Sequence, residues 1–317
     1  MLNIGGKKIK LETLISTLEQ ESISFEIIKN DNWEESYTFA SIKNIIQNGI
    51  YFFENTALIK DYNIQNSILI VSEVIKTNNN LIVVTNPQLV HYLLNSKINK
   101  TILFGISNSA KISSEAVLGK NIYIGENSVI GKCIIEDNVV IKHNVVIEDN
   151  VIIKQNTFID NNSSIGAGGI AWIWDSNGNR IIQPQIGGVL IEKDCILGTD
   201  ITIVRGSLSE STFIGEGTVI AHGTKIGHGA IINKYVHIAN NVSIAGNATI
   251  GERCFLGSAS VISSNIKVQD NCIIGAGAVV AKNVDENFVT LAGVPAKIIK
   301  KDNYIEKPNG VPKPFKK

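Results

Sequence analysis

Large rings are scarce in this chain: aromatic residues make up 6% and methionine occurs once, although 44% of the residues are hydrophobic. Its core must therefore be filled by small aliphatic side chains. The four cysteines, Cys133, Cys195, Cys254 and Cys272, form no CxxC pair. That spacing argues against a metal ribbon or redox couple and suits small wall residues in a reducing cytoplasm. Charge of either sign is not in excess, since Lys+Arg and Asp+Glu both number 29, so no nucleic acid or other polyanion partner is implied. The opening MLNIGGKKIKLETLIS lacks the apolar run of a signal peptide, and no segment is long enough to span a bilayer. A cytoplasmic protein without stable membrane insertion is expected, and 317 residues leave room for two domains.

What the sequence does contain is a beat of six. From Ile191 to Val280 an aliphatic residue recurs at Ile191, Leu197 and Ile203, and again from Ile214 through Ile220, Ile226, Ile232, Ile238 and onward to Val280. An earlier stretch, Ile112 to Ile165, keeps the same interval with one slip at Ile135. A second slip of one residue falls between Ile203 and Leu208, which makes Leu208 an anchor. Neither a 3.6-residue helical period nor strand alternation generates this pattern. It is the signature of hexapeptide repeats. The expected fold is mainly β: a left-handed parallel β-helix, three hexads to a coil, with a small N-terminal α/β domain. Residues about 18 apart then lie above one another, roughly 4.8 Å apart.

The expected domains are 1–104 for the α/β part, 105–290 for the β-helix with a loop insertion at 166–190, and 291–317 for a C-terminal tail. In the first, SISFEII, NSILIVSE and NLIVVT read as strands, and LETLISTLEQ and NPQLVHYLLNS as helices, the second starting at Asn86. Tyr51, Phe52 and Asn55 lie in an aromatic cluster that ends in an amide. Such rings belong in a core, or they form a shelf for a flat base whose edge Asn55 reads. Between Ile165 and Ile191 the beat stops in a Gly- and Asn-rich loop holding Trp172 and Trp174. Two roles are open: buried tryptophans that anchor the loop on the prism, or a platform for a sugar or acyl group.

Three of the five histidines, His222, His228 and His237, fall between Thr212 and Gly257. His228 follows the anchor Ile226 by two places and points outward at a turn. Stepping 18 residues down reaches Glu210, two places after Leu208, and stepping 18 up reaches Gly246. A carboxylate beside an imidazole fixes its tautomer, and a glycine lets its N–H approach a substrate oxygen. These are the parts of an acyl-transfer site. A solvated turn histidine or a zinc ligand are the other readings. Against zinc, His222 and His228 stand one hexad apart, on successive sides of the prism.

The segments IGAGGIAWIWD, IQPQIGGVLIEKDCILGTDITIVRGSL, STFIGEGTVI and KIGHGAIINKYVHIANNVSIAGNATIG together resemble the UDP-3-O-acylglucosamine N-acyltransferases of lipid A synthesis. The resemblance implies a homotrimer with active sites between neighbouring prisms. It places the catalytic histidine on His228, the thioester-contacting glycine on Gly246, and the uridine-stacking Phe and its partner Asn on Phe52 and Asn55. The chain departs where the family has a stacking Tyr, here Leu58 (with Tyr51 as a substitute), and where it has a second histidine, here Asn265. The family's C-terminal helices are also missing. AGVPAKIIKK is instead similar to the ending of coenzyme A-dependent sugar acetyltransferases of the sialic-acid and bacillosamine pathways, which carry a His nine residues before a V-H-I element, as His228 and His237 stand here.

The expectation is an acyltransferase that moves an acetyl or short acyl group from acyl-CoA to the amine of a nucleotide-linked amino sugar. His228, Glu210 and Gly246 are its catalytic candidates, and Phe52, Asn55, Tyr51, Trp172 and Trp174 its substrate contacts. His237, Ser258, Ala276, Lys297 and Lys300 are the candidates for the donor, and no metal is expected. The alternatives are a lipid A N-acyltransferase using acyl carrier protein and a zinc-binding hexapeptide protein.

Overall fold

The computed structural model describes residues 7–99 and 103–301. The chain divides into two compact units between residues 102 and 103. The tail beyond Lys301 lies outside the described residues.

The first unit is a five-stranded sheet with two helices. Its elements run α1 (Leu11–Gln20), β1 (Glu26–Ile28), β2 (Thr38–Phe39), β3 (Gly49–Phe53), β4 (Ile68–Val71), β5 (Asn80–Val83) and α2 (Pro87–Ile98). The sheet order is β1-β5-β4-β3-β2, parallel except at β1. The apolar runs of β4 and β5 fit strands covered on both sides. Asn86 caps α2, its Oδ1 accepting from the Leu89 N–H at 2.9 Å, with Pro87 as the first helical residue.

The second unit is the left-handed parallel β-helix. Its described strands form three stacked sheets of nine, eight and eleven strands, here called the first, second and third faces. Around one coil the first face carries Lys225–Ile226, the second Ile231–Ile232 and the third His237–Ile238. The anchors are fully buried, forming one column from Ile124 to Leu291, and all four cysteines are buried thiols without a disulfide. Most corners hold one residue in the left-handed region three places after an anchor. Asn fills it at 121, 127, 138, 144, 150, 156, 162, 241, 247, 265 and 271. Asparagine tolerates that conformation and hydrogen-bonds along the stack, as Asn144 Nδ2 does to Asn162 Oδ1 at 3.3 Å.

The two interruptions of the beat have one location. Both lie where the chain leaves the first face for the second, on successive coils: after Ser164–Ala167, and after Thr202–Val204. The second is no slip. Ile203 on the first face is followed on the second by Ile214, eleven residues later, so one hexad has gained five residues. Leu208 is therefore not an anchor; it is 52% exposed in the inserted loop.

The tryptophan loop also differs from the buried anchor that its sequence suggests. Ala171–Trp174 and Arg180–Gln183 pair antiparallel in a hairpin, with Trp172 46% and Trp174 54% exposed. Their rings pack on each other at 5.0 Å, and the Arg180 guanidinium lies 5.3 Å from each. The hairpin thus satisfies its rings within itself, by edge contact and cation–π attraction.

Candidate active site

At several corners of this β-helix, the side chain two places after an anchor caps the coil below. Asp149 Oδ1 accepts from the Lys132 N–H at 2.6 Å, and Asp270 Oδ1 from the Glu252 N–H at 2.7 Å. Two histidines do the same work: His143 Nδ1 accepts from the Glu126 N–H and His222 Nδ1 from the Thr199 N–H, each at 2.9 Å. They are structural caps.

His228 occupies an equivalent position but is not a cap. The strand beneath it is Thr202–Val204, with Ile203 under Ile226. The residue in register two places after that anchor is therefore Arg205, not Glu210. Arg205 is turned away into the first insertion, its N–H donating to Ala167 O at 3.0 Å and its Nε to Gly166 O at 2.7 Å. With no amide to cap, His228 Nδ1 meets the Ser207 hydroxyl at 3.1 Å.

Glu210 reaches this corner through the loop and works one step back from the ring. Its carboxylate accepts from the N–H groups of Ser207, at 2.5 Å, and Leu208, at 3.2 Å. Its own amide and those two hold the carboxyl below the ordinary carboxylate value, with a smaller contribution from His228. The vertical column expected from an 18-residue step is replaced by a loop that carries Ser207 to the ring and Glu210 to the loop. Ser207 is the contact that sequence reasoning missed. Its signal was the five-residue gain, which re-registers everything between Ile203 and Ile214.

Gly246 does lie one coil above His228, where Ile244 stacks on Ile226. A β-carbon there would fall 2.5 Å from His228 Nε2. The imidazole is packed flat enough against this Cα that only glycine leaves it room. Asn265, the position of the expected second histidine, has φ 61° and is an ordinary corner asparagine.

The donor candidates gather elsewhere on the prism. His237 points outward from the third face, stacked between Val219 and Phe255 with its ring 5.2 Å from the Phe255 ring. Burial pushes its imidazole below the ordinary histidine value. Ser258 and Ala276 are exposed one above the other at the corner between the third and first faces, where Ser258 O accepts from the Gly277 N–H at 2.9 Å. Lys297 and Lys300 are exposed on the strand Lys297–Lys301, which pairs with Val289–Ala292 at the end of the third face. One chain does not bring His237, Lys297 or Lys300 to His228, because the third face lies across the prism from the corner between the other two. Among the described residues no three His, Cys, Asp or Glu side chains converge as metal ligands, and no helix is long and apolar enough to cross a membrane.

In the first unit a cleft of about 910 Å³ is lined by Phe52, Asn55, Leu58, His91, Tyr92 and neighbouring residues. Phe52 is half-buried with its ring 4.9 Å from His91. Asn55 is exposed and caps the 3₁₀ turn that follows it, its Oδ1 accepting from the Ala57 N–H at 3.1 Å. Tyr51 is not an exposed stacking ring. Strand alternation turns it to the opposite side of the sheet from Phe52, where it is buried with its hydroxyl bonded to the backbone N–H and O of Ile46. His91, singled out by nothing in the sequence beyond its place on an apolar helix, is 8% exposed; the Ile50 backbone is its polar neighbour, and neither ring nitrogen makes a hydrogen bond of good geometry.

Residues 247–282 match the model of a family, the bacterial transferase hexapeptide (six repeats). Solved structures share the β-helix fold. The chain is similar to LpxA from Acinetobacter baumannii (23% identity, TM-score 0.55) and to LpxA, a UDP-N-acetylglucosamine acyltransferase from Bacteroides fragilis (21%, 0.55). It is also similar to the UDP-N-acetylglucosamine acyltransferase from Campylobacter jejuni (24%, 0.52). Each similarity covers 61% of this chain and 73% of the other. No curated protein matches the sequence.

Proposed function

We propose that this protein is an N-acyltransferase that moves an acetyl or short acyl group from acyl-CoA to the amine of a nucleotide-linked amino sugar, working as a cytoplasmic homotrimer. One observation carries the reading. Alone among the turn histidines His143, His222 and His228, His228 is released from backbone capping, set against a hydroxyl and pressed under a glycine. In this reading His228 takes a proton from the sugar amine as its nitrogen attacks the thioester carbonyl. The C–S bond then breaks and the thiolate leaves to be protonated. The backbone at Gly246 faces the developing oxyanion, and His237, Ser258, Ala276, Lys297 and Lys300 hold the donor. The base of the nucleotide stacks on Phe52 in the cleft of the first unit, where Asn55 and the imidazole of His91 read its edge.

General base catalysis contributes about 10²–10⁴-fold, so His228→Asn lowers turnover by at least the lower figure while the oligomer persists. Near-normal turnover would overturn the assignment. Assaying acetyl-CoA against a long 3-hydroxyacyl chain on acyl carrier protein decides the donor: turnover only with the carrier protein makes the enzyme one of lipid A synthesis. Stoichiometric zinc in protein purified without added metal would favour the metal-binding alternative.

A further inference from the structure

The two insertions are joined at their roots, and the join ends on His228. Gln185, at the end of the tryptophan loop, is 8% exposed. Its Oε1 accepts from the Gly169 N–H at 2.6 Å, and because that amide can only donate, the flip of the side chain is determined: Nε2 faces Ser207 Oγ, at 3.4 Å. The backbones run together as well. Ile186 N donates to Ser207 O at 3.1 Å, Gly187 N to Gly206 O at 3.0 Å and Gly206 N to Gly188 O at 3.0 Å. Ser207 is thus held at its amide by Glu210, at its carbonyl by Ile186 and at its hydroxyl by Gln185, and it touches His228 Nδ1 with what remains.

We infer that Ser207 is a positioning residue for His228, and that Gln185 ties it to the root of the tryptophan hairpin. The inference rests on the reading of His228 as the base. A base acting through Nε2 needs its other proton on Nδ1, and something must accept that proton. Gln185 offers only donors to Ser207, so it occupies one lone pair of the hydroxyl oxygen and leaves the other free to accept from Nδ1–H, the direction that a base acting through Nε2 requires. Serine is neutral, so the ring is oriented without a fixed negative charge beside it. Glu210 supplies the rigidity, since it fixes the two amides of the loop that carries the serine. Second-partner orientation of an imidazole typically matters by tens-fold.

Ser207→Ala in the full-length enzyme should lower kcat about tenfold to a hundredfold with KM changed less than about twofold, and Ser207→Thr should restore most of it. Long-range ¹⁵N–¹H NMR of the His228 ring reports the tautomer directly. The wild type should show Nδ1–H, and Ser207→Ala a mixture. Gln185→Leu should act in the same direction by several-fold, with no further loss in the double variant, because both lie on one string. Loss in Ser207→Ala that Thr does not rescue, unchanged kcat, or a wild-type ring protonated at Nε2 each overturns the inference. His228→Asn separates the two readings. If it retains turnover, the base assignment itself fails; if it is inactive while Ser207→Ala is normal, only the role of Ser207 does.

Discussion

At the scale of single residues, two positions in the candidate sites carry a structural cost. His91 buries an imidazole whose nitrogens make no hydrogen bond of good geometry, and a polar group left unsatisfied in this way costs a folded protein about 1–3 kcal/mol. Burial also holds its imidazole below the ordinary histidine value. The sign follows from linkage: the unfolded chain takes up the proton first, so this residue's share of stability is full above about pH 6.5 and falls as pH drops toward the folded value. His91→Leu should therefore raise the unfolding free energy by about 1 kcal/mol at neutral pH, and by more in mild acid. Urea denaturation at two pH values measures this. The same variant should bind the nucleotide sugar several-fold more weakly, and a gain in stability without loss of affinity would leave the buried imidazole unexplained. Gly246 is the second position. Gly246→Ala puts a methyl 2.5 Å from His228 Nε2, so the ring must move. Turnover should fall at least tenfold, since misplacing a catalytic group by an ångström can cost about a hundredfold, while thermal stability stays near wild type. These sites differ in how far they could be foreseen. Gly246 was legible because register alone stacks it on His228. His91 was not, because a histidine on an apolar helix face does not reveal whether its nitrogens find partners.

At the scale of elements, the corners and the insertions divide the labour. Regular corners are interchangeable scaffold: an αL asparagine, a capping side chain and an inward aliphatic. Asn144→Gly should be nearly neutral because glycine adopts φ 57° freely, whereas Asn144→Ala should cost about 1 kcal/mol or more, read as a shift in the denaturation midpoint. The six-residue period made this part of the fold readable, since one anchor determines an entire coil. The insertions broke the arithmetic. Counting 18 back from His228 gives Glu210 only if Leu208 is an anchor, and an eleven-residue gap fits a deletion plus a hexad as well as a hexad with five residues added. Leu208 is apolar enough to pass for an anchor although it is half exposed. The tryptophans mislead for a related reason. Composition says that such rings want cover, and here they find it in each other and in Arg180.

At the scale of the whole molecule, the placement of the histidines argues for catalysis shared between chains. His228 stands at the corner between the first and second faces, and His237, Ser258, Ala276 and the Lys297–Lys301 strand belong to the third face and its rim. The apolar column lies between the third face and that corner, so His237 and His228 of one prism do not meet across it. If both act on one thioester, the donor side must come from a second copy. Outward apolar residues such as Ile134, Ile196 and Ile231 leave surface for such an assembly. In the proposed trimer, a closed ring would set each chain's corner against its neighbour's third face in the same sense all the way round. That geometry makes a sharp prediction for mixtures. His228→Asn and His237→Ala should each be inactive as pure trimers, but a ring containing both variants has one junction where an intact His228 meets an intact His237. Mixed in equal amounts, unfolded and reassembled, they should recover roughly a quarter of the wild-type sites. Recovery near zero, with light scattering confirming mixed trimers, would mean that each chain works alone, and His237 would then lose its place at the reaction.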